Sequence, residues 1–335
     1  MAAPLVVSTI DYHTAGEPFR IVTGGVDPLR GRTILEKRRD AAQRLDEIRR
    51  LLVYEPRGHA DMYGCFITEP DDDGADLGVV FFHNEGYSTA CGHGTIALVT
   101  WALESGRLPM TEPETRVVVD VPSGRLECSA RCWGGDVESV RFRNVPAFVR
   151  SRGMEVGGIE VADFTLDIAY GGAFYASVDA RAVGLDVEPA RLPELIALQR
   201  RLRSALELVS VVHPLEPELR GIYGVIFFQD EPSETVLTQR NVTVFADGEV
   251  DRSPCGSGTS ARLAILHDQG RLAVGEEFRH LSIVDSEFRA RIVATTSVAG
   301  RPAVVTEVEG SAHQTGEHRF VLEADDELGT GFLLR

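Results

Sequence analysis

Phe81-Phe82-His83-Asn84-Glu85-Gly86-Tyr87-Ser88-Thr89-Ala90-Cys91-Gly92-His93-Gly94-Thr95-Ile96-Ala97 is the stretch around which the chain is organised. The apolar run from Leu77 to Phe82 predicts a buried strand. Turn-forming residues follow, and a cysteine then stands directly before a helix. The chain contains this pattern twice. Cys255-Gly256-Ser257-Gly258-Thr259-Ser260-Ala261 repeats Cys-Gly-x-Gly-Thr-x-Ala at an offset of 164 residues from Cys91 to Cys255. At that same offset Phe81 matches Phe245, Glu85 matches Glu249, and Gly106-Arg107-Leu108 matches Gly270-Arg271-Leu272. Ungapped identities over this span imply two copies of one structural unit. The offset is close to half the chain, so the copies correspond to two halves.

A chain of 335 residues fits two domains better than one core. With 43% hydrophobic and 25% charged residues, its composition is that of a folded soluble protein. The net charge of -17 argues against nucleic acid, which needs clustered Lys and Arg to displace counterions. An acidic small molecule would need a local site, such as helix N-termini, to overcome that field. No apolar run is long enough to span a membrane. Met1-Ala2-Ala3-Pro4 does not begin a signal peptide. The five cysteines, Cys65, Cys91, Cys128, Cys132 and Cys255, are an odd count in a long chain. That predicts reduced thiols and a cytoplasmic protein rather than a disulfide framework. Alternation around Cys128 and Cys132 puts both on one face of a strand, as core thiols rather than metal ligands.

Leu5 to Asp11 and Phe19 to Val22 read as strands around the tight loop His13-Thr14-Ala15-Gly16-Glu17-Pro18. Thr33 to Leu52 reads as one amphipathic helix with Leu35, Leu45, Ile48, Leu51 and Leu52 inward and its Arg and Glu outward. Cys65 to Thr68 is a strand, and Asp71-Asp72-Asp73-Gly74 a hairpin turn whose acids are solvated. The two cysteine helices run from Gly92 to Ser105 and from Gly256 to Gln269, stopped by Gly106 and Gly270. Residues 146–160, with Pro146, Gly153, Gly157 and Gly158, read as the connection between halves. In the second half Pro193 to Val209 reads as a helix. Gly224 to Gln229, Asn241 to Phe245, Leu281 to Ala294 and Ala303 to Val308 read as strands, and the tail Arg319 to Leu334 is strand-like. The fold class is therefore α/β (α+β): a first half-domain 1–150 carrying Cys91 and a second, 151–314, carrying Cys255. Each has twisted, mostly antiparallel strands around a central helix.

A cysteine at a helix start meets unpaired backbone N–H groups and the positive dipole end, which favour thiolate. The adjoining glycines let a small anion, most simply a carboxylate, approach those N–H groups. Two such sites suit inversion of a stereocentre, in which one thiolate removes a proton from one face and a thiol delivers another to the opposite face. N–H donors on the carboxylate stabilise the charge that develops as the proton leaves. This chemistry asks for no metal or pyridoxal cofactor, and no phosphate-loop or dinucleotide pattern calls for one.

Asp251-Arg252-Ser253-Pro254-Cys255-Gly256-Ser257-Gly258-Thr259-Ser260-Ala261, together with Cys91-Gly92-His93-Gly94, closely resembles the proline racemase family. That family includes hydroxyproline 2-epimerases and trans-3-hydroxy-L-proline dehydratases. His13-Thr14-Ala15-Gly16-Glu17-Pro18, Arg57-Gly58-His59-Ala60-Asp61-Met62 and Tyr170-Gly171-Gly172-Ala173-Phe174-Tyr175 extend the likeness over nearly the whole chain. The resemblance implies a diaminopimelate-epimerase-like fold of two pseudo-symmetric domains with the site in the cleft between them. It also implies that a C-terminal tail, about 315–335, packs back on the first domain. By position it makes Cys91 and Cys255 the acid/base thiols, and has Asp251 and His93 hold a ring nitrogen. Gly92, His93, Gly256 and Ser257 would offer backbone N–H groups to the carboxylate. The partner it implies is a small molecule, proline or hydroxyproline; a homodimer is compatible with it.

The chain departs from a single branch of that family. His83-Asn84-Glu85-Gly86-Tyr87-Ser88, Met62-Tyr63-Gly64, Val244-Phe245-Ala246-Asp247 and Gly331-Phe332-Leu333-Leu334 are similar to the dehydratases, which have Thr where this chain has Cys255. Ala90 also replaces the Met often found before the first cysteine. The expectation is a racemase or epimerase, with trans-3-hydroxy-L-proline dehydratase as the alternative. A cysteine hydrolase pairing Cys91 with His93 or His59 would leave the second cysteine helix unexplained. A non-catalytic binding protein for small amino acids would have no use for paired thiols.

Overall fold

The computed structural model describes residues 4–155 and 164–334. The chain divides into two compact units, Met1–Val140 with Ser311–Arg335, and Arg141–Gly310. The first begins with β1 (Leu5–Thr14), β2 (Glu17–Gly24), α1 (Ile34–Arg44), α2 (Asp46–Val53), β3 (Tyr63–Thr68) and β4 (Leu77–His83). It continues through α3 (Gly92–Glu104), β5 (Glu114–Val121) and β6 (Gly124–Trp133), and β7 (Asp136–Arg143) crosses the boundary in sequence. The second unit holds β8 (Phe148–Glu155), β9 (Thr165–Tyr170), β10 (Phe174–Asp179), α4 (Leu192–Leu206), β11 (Ile222–Asp230), β12 (Leu237–Phe245) and β13 (Glu249–Asp251). After these come α5 (Gly256–Asp268), β14 (Glu277–Ser282), β15 (Glu287–Val298) and β16 (Arg301–Gly310). A last strand, β17 (Ala312–Leu322), belongs to the first unit and pairs antiparallel with β1.

Strand pairing repeats the duplication read from the sequence. From β1 through β2, β3, β4 and β5 to β6, neighbours pair antiparallel, parallel, antiparallel, parallel, antiparallel. From β9 through β10, β11, β12 and β14 to β15 the series is the same. In both units the cysteine helix follows the fourth strand of the series. Residue patterns explain why that helix is central. Every residue of β4 is buried, as suits a strand covered on both faces. In α3 everything from Gly92 to Leu103 is buried, and in α5 everything from Gly256 to Leu266. A helix without a solvent face needs partners on all sides. β1, β2, β3, β6 and β17 supply them for α3, and β8, β9, β10, β15 and β16 for α5. Each fully buried phenylalanine, such as Phe81 or Phe82 at 0% exposure, contributes roughly 2 kcal/mol to this packing.

Four local expectations are corrected. The helix expected from Thr33 to Leu52 is two helices: Leu45 closes α1, its N–H donating to the Ala41 carbonyl, and opens α2, its carbonyl accepting from the Arg49 N–H. The break turns Arg49 inward, 5% exposed, where it donates to the backbone carbonyls of His83 and Asn84. Asp71 is not merely solvated, because its carboxylate accepts from the Ile34 N–H at the start of α1 (2.7 Å). Part of the expected connection, Phe148–Glu155, is strand β8 paired with β9, while Gly157 and Gly158 lie outside the described residues. The tail strand lies earlier than Arg319 to Leu334. It is β17, and beyond it Phe332 makes only an isolated bridge to Glu55.

Candidate functional site

In the first unit Cys91 is the N-cap of α3, with extended backbone (φ -153°, ψ 100°). Its Sγ accepts from the Gly94 N–H at 3.2 Å, so the sulfur occupies the capping position that Ser or Asp usually fills. A Cβ on Gly94 would sit 2.3 Å from Phe19 Cε2 and 2.7 Å from the sulfur, which accounts for glycine there. The His93 ring lies beside the same sulfur, Nε2 at 3.4 Å and Nδ1 at 3.7 Å. Phe19 and Tyr63 hold that ring edge-on, with centroids 5.7 and 5.0 Å away. Thr14 Oγ1 donates to the His93 carbonyl (2.9 Å), tying the first turn of α3 to β1. Cys91, Gly92 and His93 are thus together, all buried, with the imidazole within hydrogen-bond distance of the sulfur.

In the second unit Cys255 precedes α5 with φ 61° and ψ 101°, a left-handed backbone that costs a non-glycine residue on the order of 1–3 kcal/mol. The loop before it is fastened from both sides. The Asp251 carboxylate accepts from Ser253 N–H (2.9 Å) and Oγ (2.7 Å), and Ser253 Oγ in turn accepts from the Cys255 N–H (3.1 Å). Asn241 Nδ2 and Thr259 Oγ1 both donate to the Pro254 carbonyl. Thr259 Oγ1 also lies 2.8 Å from Nδ1 of the fully buried His280, whose pKa burial and the nearby Arg262 charge hold well below the usual value. Gly171 packs against the first turn of α5 so tightly that a Cβ would meet the Ser257 carbonyl at 2.2 Å. Asn144 Nδ2 secures this approach by donating to the Gly171 carbonyl and Ser260 Oγ, each at 2.8 Å.

Around Cys255 lie Ala169, Ala173, Tyr175, Ile226, Ala261 and Ile265. Burial, and then the Asp251 charge, push its thiol up to about 12; the Gly258 N–H and the hydroxyls of Thr243 and Tyr175 pull the other way. Asp251, Cys255, Gly256 and Ser257 are therefore one local group, with Asp251 both bracing the loop and setting the field at the sulfur. Tyr175, Thr243 and His280 were given no role from sequence. Tyr175 stood within a quoted motif, but nothing in that motif indicates that its hydroxyl reaches α5. Cys128 and Cys132 are both buried on the inner face of β6, and burial, helped by the Glu127 charge, raises the Cys128 thiol. Among the described residues no group of three His, Cys, Asp or Glu could hold a metal ion, and no helix is long and apolar enough to cross a membrane.

A model of the family described as proline racemase matches residues 9–333. A trans-3-hydroxy-L-proline dehydratase of Bacillus cereus is 47% identical over 335 residues, covering 100% of both chains. A 3-hydroxyproline 2-epimerase of Burkholderia multivorans is 47% identical over 330 residues, covering 98% of each. Among solved structures, a hydroxyproline epimerase from Agrobacterium vitis with bound trans-4-hydroxy-L-proline superposes with a TM-score of 0.92. It is 34% identical, over 98% of this chain and 96% of that one. The fold is the α/β fold anticipated from the paired cysteine helices, and the chain belongs to the proline racemase family.

Proposed function

From that membership, we propose that the protein is a pyridoxal-independent racemase or epimerase that inverts Cα of proline or hydroxyproline, with Cys91 and Cys255 as its two acid/base groups. One sulfur, as thiolate, takes the Cα proton, and the other, as thiol, returns a proton to the opposite face; the reverse reaction exchanges their roles. Backbone N–H groups of Gly92, His93, Gly256 and Ser257 receive the carboxylate, where the dipoles of α3 and α5 stabilise the charge that builds up on deprotonation. His93 and Asp251 hold the ring nitrogen, Asp251 balancing the secondary ammonium. The single observation that carries this reading is Cys255, a second buried thiol at the start of a helix built to the same Cys-Gly-x-Gly-Thr-x-Ala pattern as the first.

A second reading, trans-3-hydroxy-L-proline dehydratase, is supported by the name of the Bacillus cereus relative. In it one thiolate removes the Cα proton and the 3-hydroxyl leaves as water, giving an enamine that tautomerises to the cyclic imine acid. Proton NMR in D2O separates the two on L-proline, trans-4-hydroxy-L-proline and trans-3-hydroxy-L-proline. The expected result is inversion with deuterium entering at Cα and the hydroxyl retained. Rapid loss of water from the 3-hydroxy substrate, with no inversion of any of the three, would establish the dehydratase instead.

A further inference from the structure

A residue that is thiolate in one half of a cycle and thiol in the other needs a neighbour that suits both states. Tyr175 Oη lies 3.8 Å from Cys255 Sγ and 2.7 Å from Ser257 Oγ, and Ser257 Oγ lies 3.9 Å from the same sulfur. Tyr175 is 1% exposed, so water does not compete for these contacts. Its ring is held independently of the hydroxyl. Tyr223 packs edge-on against it at 5.7 Å, and Ile226, Ala261 and Ile265 belong to the same apolar cluster. A hydroxyl both donates and accepts. While the sulfur carries a proton, the thiol donates to Tyr175 Oη and the phenol proton goes to Ser257. When the sulfur is ionised, the phenol turns its proton to the sulfur and accepts from Ser257.

We propose that Tyr175 is a positioning residue that serves Cys255 in both protonation states, with Ser257 as the hydroxyl that takes the complementary half of each exchange. The proposal rests on reading Cys255 as an acid/base group. It explains how an ionised sulfur is tolerated beside a carboxylate: Asp251 is the charged group that opposes ionisation, and the Thr243 and Tyr175 hydroxyls with the Gly258 N–H answer it. Of these donors, Tyr175 is the one already shared with a second hydroxyl. The reversal therefore needs only two O–H rotations and no movement of backbone or ring.

The test measures the rate at which iodoacetamide alkylates each cysteine of the full chain between pH 8 and 10, resolved by peptide mass spectrometry and needing no turnover. Tyr175→Phe keeps the packed ring. It should slow Cys255 alkylation at a given pH about three- to tenfold, the net weight of one ordinary hydrogen bond, and leave Cys91 unchanged. In turnover it should lower kcat with little change in KM. Ser257→Ala removes only the phenol's second hydrogen bond, which is present in both states, so Cys255 alkylation should change less than in Tyr175→Phe. Equal Cys255 rates in the native protein and Tyr175→Phe, or slowing by Ser257→Ala in its place, would overturn the proposal. Normal inversion after Cys255 is removed would instead defeat the acid/base reading, a separate outcome. If Tyr175→Phe does not fold, 3-fluorotyrosine at position 175, a stronger donor of the same size, should quicken Cys255 alkylation at pH 8, and an unchanged rate would overturn the proposal.

Discussion

Cys91 and Cys255 begin helices of one pattern, yet the two sulfurs are presented differently. Cys91 takes an extended backbone and its sulfur caps α3 through the Gly94 N–H, with an imidazole alongside. Cys255 takes a left-handed backbone, its sulfur draws on the Gly258 N–H without the capping geometry that Cys91 has, and it is surrounded by hydroxyls, apolar side chains and the Asp251 charge. The position two residues on, His93 in one helix and Ser257 in the other, supplies a titratable ring in the first case and a neutral hydroxyl in the second. Duplication therefore kept the backbone device, a sulfur at the positive end of a buried helix, and let the proton environment diverge. Burial and the Asp251 charge favour the thiol form of Cys255, which on the proposed two-base reading is the form that donates a proton.

The largest effects follow from removing either sulfur. Cys91→Ser should abolish inversion and dehydration alike, by about a thousandfold or more, since a serine hydroxyl is a far weaker base. Cys255→Thr should suppress inversion as strongly while sparing or exposing water loss from trans-3-hydroxy-L-proline. The same NMR assay reads both. Near-normal turnover by Cys91→Ser on every proline derivative would remove it from the chemistry.

Next in size is a test of how tightly each sulfur is held. A methyl on Gly94 would press into Phe19 and the Cys91 sulfur at 2.3–2.7 Å, whereas one on Gly258 would find the Cys255 sulfur at 3.0 Å and Ile226 Cδ1 at 3.1 Å. Gly94→Ala should cost about 2–3 kcal/mol by overpacking, and most of the activity. In Gly258→Ala the helix-forming gain of roughly 1 kcal/mol offsets the milder crowding, so activity should fall more than stability. Urea titration beside the turnover assay checks both. Equal losses of stability would mean that the two first turns are equally rigid.

How much of this was legible in the sequence depends on range. Helix starts and stops were legible because a cysteine flanked by glycines and the terminal Gly106 and Gly270 act within one turn. Strand β4 was legible because it is apolar throughout. The break at Leu45 was not, since Leu45 and Arg49 take their places from contacts with distant carbonyls and core residues that periodicity does not encode. β17 was misplaced because most of its residues are not buried, so no alternation marks where it pairs with β1. Within the candidate site, Cys91 and Cys255 could be named from the repeated pattern, whereas His93, Asp251 and Ser257 were named by the family resemblance. The left-handed backbone of Cys255 and the reach of Tyr175 from β10 could not be read from either, because identical Cys-Gly-x-Gly words conceal different dihedral angles and long-range partners.

A smaller effect is expected at alkaline pH. The Cys255 thiol is raised from its usual value near 9 to about 12, so the native state favours the protonated form. The stability this contributes is fully present below pH 9 and is lost as pH rises from 9 toward 12. Urea midpoints should therefore fall over that range, and Cys255→Ala should flatten the fall. Cys65 and Cys128, also raised by burial, will leave part of the slope in place. An unchanged slope in Cys255→Ala would mean that the thiol already ionises freely in the native protein.

The smallest effect tests where the two units are alike. Gly106 and Gly270 follow α3 and α5 with φ 71° and 70°, and a Cβ at either would meet nothing within 4 Å. Space is thus no obstacle, and only the left-handed backbone resists an alanine, at a cost of about 1 kcal/mol. The two positions share the same dihedral angle, the same open surroundings and the same Gly-Arg-Leu context, so Gly106→Ala and Gly270→Ala should lower stability equally. Both lie at the helix end opposite the cysteine, so neither should change kcat or the alkylation rate of either thiol. Asparagine, which tolerates this conformation better, should recover part of the loss at both. Urea denaturation of the four variants gives the comparison. If one alanine proved much costlier than the other, the divergence between units would reach beyond the first turns of the helices, and the backbone device would not be common to both.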